Sequence, residues 1–299
     1  MKIGLIGLGK MGYNLALNMK DKEIDVIAYD VSVNAVNQIH ALGVDVATSY
    51  ESLVMQLPLP RIIWLMVPSG TIVQTVIDTL TPLLSKGDII IDGGNSRYLD
   101  TKRRYNELQQ KNIHLIDCGT SGGMAGARNG ACLMVGGEEK IVKSIENLFV
   151  KIAVKDGYAY MGNPGSGHFV KMVHNGIEYG MMQAIGEGFD LLQASQYELD
   201  YQKVAQVWAH GSIIEGALMN YIKDAFSKDA TLESIEGKID DSGEGQWMIE
   251  EALQSKVALP VITHSLFARY KSKDFLKFSE KVVAAMRNEF GGHAVYPKK

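Results

Sequence analysis

The chain has 299 residues, of which 46% are hydrophobic and 21% are charged, a composition typical of a globular protein with about two domains. Its net charge of −4 disfavours binding to nucleic acid or to an anionic membrane surface, because both functions usually require a strong basic patch. We therefore expect neither kind of partner.

The N-terminus and the cysteines indicate where the protein works. The sequence begins with a strand-like segment, Lys2–Ile6, and has neither a signal-peptide pattern nor an apolar run of the roughly 20 residues that span a bilayer. Cys118 and Cys132 are too few for a disulfide framework and lack metal-ligand spacing. We expect two buried thiols in a cytoplasmic protein, without a metal site.

The first half of the sequence alternates short apolar runs with amphipathic stretches. Strands are predicted for Ile3–Ile6, Val26–Tyr29, Ile62–Val67, Ile89–Ile91 and His114–Asp117. Helices are predicted between them, for Met11–Met19, Ser32–Leu42 and Thr71–Leu84. Because strands that alternate with helices form right-handed βαβ units, we predict an α/β domain of the Rossmann type with a mostly parallel sheet.

The pattern changes at the turn-forming segment Asn-Pro-Gly-Ser-Gly, residues 163–167. Strand-like alternation then disappears, and six helical patterns follow: His168–Ser195, Asp200–His210, Ser212–Phe226, Gly245–Gln254, Pro260–Tyr270 and Phe275–Glu289. The sequence therefore predicts two domains, a dinucleotide-binding domain over residues 1–163 and an all-α domain over residues 164–299.

A glycine-rich motif, G-x-G-x-x-G, directly follows the first predicted strand and opens a helix. Its glycines permit a tight turn that brings backbone N–H groups to a pyrophosphate at the helix N-terminus. In this context the motif predicts a nucleotide cofactor, although a purely structural turn can carry the same letters. The candidate cofactor contacts are Gly7, Leu8, Gly9, Lys10, Met11 and Gly12.

An acidic residue, Asp30, ends the second predicted strand at the position that distinguishes NAD from NADP. A carboxylate there accepts hydrogen bonds from the ribose 2′-hydroxyl of NAD and repels the 2′-phosphate of NADP. The alternative is that Asp30 only caps the next helix, but Ser32 is equally placed to do so. We therefore favour NAD over NADP.

A row of polar side chains is predicted on the long helix that opens the second half. Lys171, Asn175 and Glu178 have i, i+4 and i+7 spacing, and the last two lie within about 40° of Lys171 around a helix. His174 and Tyr179 flank this row. The row could be a solvated surface. Glycines at 176, 180, 186 and 188 favour a functional site instead, since each costs about 1 kcal/mol in a helix and is useful where a ligand approaches closely.

Four segments resemble the 6-phosphogluconate dehydrogenases, within the larger β-hydroxyacid dehydrogenase superfamily. They are Ile90–Ser96, Thr120–Gly123, Gly167–Gly180 and Arg287–His293. The resemblance extends over nearly the whole chain, whose length is similar to that of the short members of the family. It implies oxidative decarboxylation of 6-phospho-D-gluconate to D-ribulose 5-phosphate and CO₂ with reduction of NAD, in the pentose phosphate pathway or in gluconate use.

The resemblance also implies roles for the polar row. Lys171 is the expected base that takes the proton of the substrate 3-hydroxyl, and it needs a lowered pKa to be neutral when it acts. Protonated again, it would polarise the ketone while CO₂ leaves. Glu178 would then protonate C1 of the enediol, and His174 and Asn175 would orient the substrate hydroxyls and carboxylate.

Further binding residues are carried over in the same way. Val67 and Asn95 are expected at the cofactor, and Asn95 also bridges to the substrate. Ser121, Gly122 and Gly123 would bind the carboxylate end of the substrate.

The phosphate end of the substrate has its own implied ligands. Tyr179 and Arg269 would act within one subunit, while Arg287 and His293 would reach over from a partner subunit. The resemblance therefore implies a homodimer or higher homo-oligomer, with the all-α domain binding substrate and mediating assembly.

Some residues depart from the family pattern. Ser242 replaces a lysine of the phosphate site, and Met124 and Met181 each replace an acid. Asp30-Val31-Ser32 replaces the Asn-Arg-Thr of NADP-using members, in agreement with NAD. These changes leave two alternatives open. One is a dehydrogenase of shorter 3-hydroxy acids that does not decarboxylate them, and the other is an NAD-binding sensor or scaffold without catalysis.

Overall fold

The computed structural model describes residues 1–297 of the chain, which divides into two compact units, Met1–Asn175 and Gly176–Lys299. The first unit is an α/β domain of the Rossmann type, and the second is helical in the part that the structure describes. Both parts of the predicted fold class are therefore confirmed.

The first unit is built on an eight-stranded sheet. Its strands are β1 (Lys2–Ile6), β2 (Asp25–Tyr29), β3 (Asp45–Val46), β4 (Ile62–Leu65), β5 (Ile89–Asp92), β6 (His114–Ser121), β7 (Ala131–Gly136) and β8 (Ala153–Gly162). They lie in the order β3-β2-β1-β4-β5-β6-β7-β8, and each neighbouring pair is parallel except β6 and β7. The five predicted strands are confirmed, whereas β3, β7 and β8 are additional to the prediction.

Helices cover the sheet of the first unit: α1 (Lys10–Asp21), α2 (Val33–Ala41), α3 (Tyr50–Met55), α4 (Thr71–Leu80), α5 (Tyr98–Gln109), α6 (Gly123–Asn129), α7 (Glu139–Ser144) and α8 (Glu146–Ile152). Along β4, Ile62 and Trp64 join one apolar cluster, while Ile63 and Leu65 join the other. Both faces of the sheet are therefore buried, and this explains why its strands are uninterrupted apolar runs.

The long helix α9 (Ser166–Gln193) begins in the first unit and continues into the second. Its start is attached to the sheet by Asp117, whose buried carboxylate accepts hydrogen bonds from the backbone N–H groups of Gly165, at 2.8 Å, and His168, at 2.9 Å. The first turns of α9 therefore belong to the first unit, and the two units divide at residues 175 and 176. The domain boundary that the sequence predicts, at residues 163 and 164, lies earlier in the chain and stays a prediction.

The remaining helices of the second unit are α10 (Tyr201–Trp208), α11 (Ala217–Lys228), α12 (Glu244–Ser255), α13 (Pro260–Ser272) and α14 (Phe278–Gly291). With α9 they confirm the six predicted helices, although α11 begins five residues late because Gly216 has a φ of 156° and ends the preceding turn. Phe189, Met219 and Phe226 lie in the apolar core of this unit. Across residues 1–297, none of the helices has the length and apolar content needed to cross a bilayer.

The two cysteines differ from one another in exposure. Cys118 on β6 is buried, and burial raises the pKa of its thiol far above the ordinary range. Cys132 on β7 is exposed, because its neighbours Ala131 and Leu133 take the inward positions of that strand. The expectation of two buried thiols is therefore wrong for Cys132.

Candidate active site

The glycine-rich turn between β1 and α1 forms a cradle that side chains would fill. A Cβ added to Gly12 would lie 1.9 Å from the carbonyl oxygen of Gly7, so the turn closes only with glycine at this position. A Cβ on Gly7 would lie 3.1 Å from Cγ1 of Val67, the predicted cofactor residue on the neighbouring strand end. Gly9, in contrast, faces open space, and it precedes the first free N–H groups of α1. The cradle therefore fits the pyrophosphate of a dinucleotide.

Asp30 is hydrogen-bonded to this cradle. One carboxylate oxygen, Oδ2, accepts from the backbone N–H of Leu8 at 2.6 Å, and Oδ1 accepts from the backbone N–H of Ser32 at 2.7 Å. Ser32 itself caps α2, since its hydroxyl accepts from the N–H of Ala35. Ser32 therefore caps α2. The carboxylate of Asp30 lies at the end of β2, beside the glycine turn.

The first half of the polar row on α9 forms a buried cluster. Lys171 and Asn175 are each only 6% exposed, and Nζ of Lys171 donates to Oδ1 of Asn175 at 2.5 Å. The helix approaches β6 so closely that a Cβ on Gly119 would lie 2.4 Å from Cβ of Lys171. The alternative of a solvated surface is therefore excluded for Lys171 and Asn175.

His174 connects this cluster to the sheet. Its Nδ1 lies 3.1 Å from Oδ1 of Asn175, and its Nε2 lies 3.2 Å from Oγ of Ser121 at the end of β6. Because the carboxamide oxygen of Asn175 can only accept, Nδ1 of His174 is the donor in that contact. A neutral His174 then accepts at Nε2 from the hydroxyl of Ser121. The structure thus brings together four predicted site residues from two elements.

The loop residues that are predicted to bind the substrate are exposed. Gly122 and Gly123, which precede and open α6, are exposed and adopt positive φ angles of 109° and 60°. Asn95, in the loop after β5, is exposed as well. These positions at the carboxyl ends of strands are where α/β sheets bind ligands.

Sequence reasoning missed a buried polar group beneath Asn95. Asp92, at the end of β5, accepts from the backbone N–H of Gly94 at 3.2 Å and from the hydroxyl of Ser96 at 2.7 Å. The guanidinium of Arg104 lies 3.6 Å from the Asp92 carboxylate, and the imidazole of His168 lies 3.1 Å from the Asp92 carbonyl oxygen. The position of Asp92, an acid directly after the apolar run Ile89–Ile91, could have identified this group from the sequence.

The second unit contains two of the predicted phosphate ligands in direct contact. The guanidinium carbon of Arg269 lies 3.6 Å from the ring centroid of Tyr179, a cation–π geometry. The hydroxyl of Tyr179 accepts from the backbone N–H of Ser242 at 3.2 Å and lies 3.4 Å from the Ser242 hydroxyl. Ser242, at the position where the resemblance implies a lysine, therefore lies beside Tyr179 with a hydroxyl and a backbone amide instead of a charge.

The remaining predicted residues lie in the second unit. Glu178, one turn after Asn175 on α9, is half-buried in the second unit. Arg287 lies on α14 and His293 follows that helix; both are exposed, and the backbone N–H of His293 contacts the carbonyl oxygen of Arg287 at 3.4 Å. Their reach to a partner subunit stays a prediction.

Comparisons with known proteins agree with this geometry. Residues 2–167 match a sequence model described as the NAD-binding domain of 6-phosphogluconate dehydrogenase, and residues 167–196 match the C-terminal domain of the same enzyme. The glycine cradle and these matches define a pyridine-nucleotide-dependent oxidoreductase. Because the first match covers more than half of the chain, the chain belongs to the 6-phosphogluconate dehydrogenase family.

Individual relatives extend the similarity over the full length. A Bacillus subtilis protein named "Putative 6-phosphogluconate dehydrogenase YqeC" is 53% identical, with 100% of both chains covered. The NAD(+)-dependent, decarboxylating 6-phosphogluconate dehydrogenase of Haloferax volcanii is 39% identical over 100% of this chain and 99% of its own. Among solved structures, the 6-phosphogluconate dehydrogenase of Plasmodium falciparum superposes with a TM-score of 0.81 at 30% identity, over 100% of this chain and 67% of its own.

Proposed function

We propose that this protein oxidises and decarboxylates 6-phospho-D-gluconate to D-ribulose 5-phosphate and CO₂, with NAD as the oxidant. The observation that carries the proposal is the buried contact between Nζ of Lys171 and Oδ1 of Asn175, which holds an amine out of bulk solvent beside His174 and Ser121. A buried amine is easier to deprotonate than an exposed one, as a general base requires. Relatives named for this reaction support the choice of substrate.

Lys171 acts first as a base and then as an acid. It takes the proton of the substrate 3-hydroxyl while the hydrogen on C3 leaves with its electron pair. Bound nicotinamide supplies the acceptor for that hydride. Protonated Lys171 then gives its proton to the ketone oxygen as the electrons of the breaking bond to CO₂ form an enediol. Glu178, farther along α9, is proposed to protonate the enediol carbon while neutral Lys171 takes back the hydroxyl proton, which gives the ketone product.

Orientation of the substrate is assigned to neutral polar groups. Ser121, Gly122 and Gly123 bind the carboxylate end, with Ser121 held in place by His174. Asn175 orients the substrate hydroxyl next to Lys171. Asn95 bridges the substrate and the nicotinamide from the loop after β5.

The phosphate end is assigned to the helical region, residues 164–299. Tyr179 and Arg269, already in contact, bind the phosphate from within one chain, and the hydroxyl of Ser242 adds a donor. Arg287 and His293 of a second copy complete the site. The active enzyme is accordingly proposed to be a homodimer or a higher homo-oligomer, serving the pentose phosphate pathway or gluconate use.

The preference for NAD follows from charge. The carboxylate of Asp30 lies beside the glycine cradle, where the ribose of the dinucleotide is expected. A 2′-phosphate would face this carboxylate and repel it, whereas a 2′-hydroxyl would donate to it. NADP is therefore proposed to be the poorer cofactor.

The test measures NADH formation and CO₂ release by the purified protein with 6-phosphogluconate. The expected result is equimolar NADH and CO₂, with lower catalytic efficiency when NADP replaces NAD. Gluconate and 3-hydroxyisobutyrate serve as competing substrates. Turnover of the shorter acid without CO₂ release, and none with 6-phosphogluconate, would reject the proposal in favour of a non-decarboxylating relative. Tight NAD binding without turnover of any acid would favour a sensor.

A further inference from the structure

Arg104, on α5, is a buried cation that the proposed chemistry leaves without a role. The residue is 1% exposed, and its guanidinium is shared between two segments of the first unit. On one side it donates to the carbonyl oxygen of Gly70 at 2.8 Å and to Oε1 of Gln74 at 3.1 Å. On the other side it donates to the hydroxyl of Ser96 at 3.4 Å and lies 3.6 Å from the carboxylate of Asp92.

These two segments are the connections that leave the carboxyl ends of adjacent parallel strands, β4 and β5. The first connection carries Val67 and ends at Gly70, which caps α4 with a φ of 86°. The second carries Asn95 between Asp92 and Ser96. Arg104 contacts Gly70 at the end of the first connection, and it contacts Asp92 and Ser96, which flank Asn95 in the second. These contacts fix the distance between the two connections.

Burial disfavours the charged form of Arg104 and lowers the pKa of its guanidinium, while the charge of Asp92 opposes that effect. A planar guanidinium nevertheless remains protonated at neutral pH and presents five donors in a fixed fork. Neither a lysine nor an apolar side chain can reach four acceptors in two segments at once. The arrangement is therefore specific to arginine.

We propose that Arg104 is a positioning residue for the nicotinamide half of the cofactor, acting by holding the Val67 and Asn95 connections at a fixed separation. The inference rests on the proposed cofactor roles of Val67 and Asn95. It concerns binding of the dinucleotide alone, so it is independent of which sugar acid is the substrate.

A second, partly buried ion pair in the same unit supplies a matched control. Arg61, just before β4, contacts the buried carboxylate of Asp88, just before β5, at 3.0 Å. This pair joins the same two strands at their opposite, amino ends. A substitution of Arg61 therefore removes a comparable ion pair from the same strands without touching the Val67 and Asn95 connections.

The experiment compares Arg104→Ala, Arg104→Lys and Arg61→Ala by NADH and NADPH fluorescence titration, without substrate and well below each melting temperature. We expect Arg104→Ala to weaken binding of the preferred nucleotide by roughly tenfold or more, because small misplacements of binding groups are costly. Arg104→Lys should bind the nucleotide as weakly as Arg104→Ala. Added guanidinium ion should strengthen nucleotide binding by Arg104→Ala, whereas added methylammonium ion should have no effect. Arg61→Ala should lower the melting temperature and leave affinity unchanged.

Three results would overturn the inference. They are unchanged affinity in Arg104→Ala, full affinity in Arg104→Lys, or equal weakening in Arg61→Ala and Arg104→Ala, which would make the effect one of stability. If Arg104→Ala fails to fold, the comparison of Arg104→Lys with Arg61→Ala decides alone. If the protein proves not to oxidise 6-phosphogluconate, the nucleotide affinities still test this inference, because they are measured without substrate.

Discussion

The hydroxyl of Ser121, at the end of β6, lies 3.2 Å from Nε2 of His174 on α9. The two residues are 53 positions apart in the sequence, and both are proposed to meet the same end of the substrate. Their contact depends on the close approach of α9 to β6, which Gly119 permits. The polar side chains of Ser121 on β6 and His174 on α9 therefore lie next to each other.

Replacement of the proposed base tests the centre of the mechanism. Lys171→Ala should reduce kcat with 6-phosphogluconate by about 10²- to 10⁴-fold, the usual contribution of a general acid–base group. NADH affinity should be retained, because the glycine cradle is untouched. Steady-state kinetics and NADH titration measure both quantities. Lys143→Ala, at an exposed ion pair with Glu139, is the control and should behave as the wild type. Substantial turnover in Lys171→Ala would remove this lysine from the base role.

Replacement of Asp30 tests the cofactor preference. Asp30→Ala should lower kcat/KM for NAD and raise it for NADP, because the acceptor for the 2′-hydroxyl and the repulsion of a 2′-phosphate disappear together. A shift of about tenfold in the ratio corresponds to one charged hydrogen bond. Asp45→Ala, at an exposed acid on β3, should leave the ratio unchanged. An unaltered ratio in Asp30→Ala would mean that Asp30 supports the loop only.

Truncation of the chain end tests the phosphate site. Deletion of residues 287–299 removes Arg287 and His293, and we expect KM for 6-phosphogluconate to rise far more than KM for NAD. Residues on α14 are not buried in a single chain, so the fold of the remainder should survive. Deletion of residues 294–299 keeps Arg287 and His293 and should leave KM near the wild-type value. Equal KM values in the two truncated proteins would show that these two residues do not bind substrate.

Replacement of Asp117 tests the attachment of α9 to the sheet. Asp117→Asn should lower the free energy of unfolding by about 3 kcal/mol, because two backbone N–H groups lose a charged acceptor and one of them then faces an amide N–H₂. Urea unfolding followed by circular dichroism measures the loss. Asp156→Asn, at an exposed position with a φ of 62° that asparagine tolerates, should change stability little. A loss below about 1 kcal/mol would mean that solvent replaces these bonds.

Local patterns were sufficient to predict the elements that are apolar or periodic. β1 and β5 are short runs of mostly buried residues, and α9 corresponds to the helical pattern predicted for His168–Ser195. The strand β8 has no such pattern, since Lys155, Asp156 and Gly157 lie in its middle, and only pairing with β7 makes it a strand. The two-residue β3 is likewise fixed by pairing with β2. Long-range pairing of this kind is not encoded in a local window.

In the candidate site as well, local patterns predict some residues and tertiary packing determines others. Spacing on one helix predicted that Lys171 and Asn175 share a face, and their burial confirms that this face is not solvated. The contacts of Arg104 with Gly70 and Ser96 depend on tertiary packing between separate connections. A basic residue on an otherwise polar helix reads as a surface residue, so no local pattern distinguishes Arg104 from exposed Arg103 beside it.

The double use of Asp30 limits how cofactor choice can change. The carboxylate that would discriminate against NADP also accepts from the backbone N–H of Leu8 inside the glycine turn. Alanine at this position would leave that N–H without its acceptor, whereas asparagine would remove the charge and keep one acceptor oxygen for either Leu8 or Ser32. Engineering of an NADP-using variant, or its evolution, would thus need a residue that is a neutral acceptor for Leu8 as well as a cation for the extra phosphate.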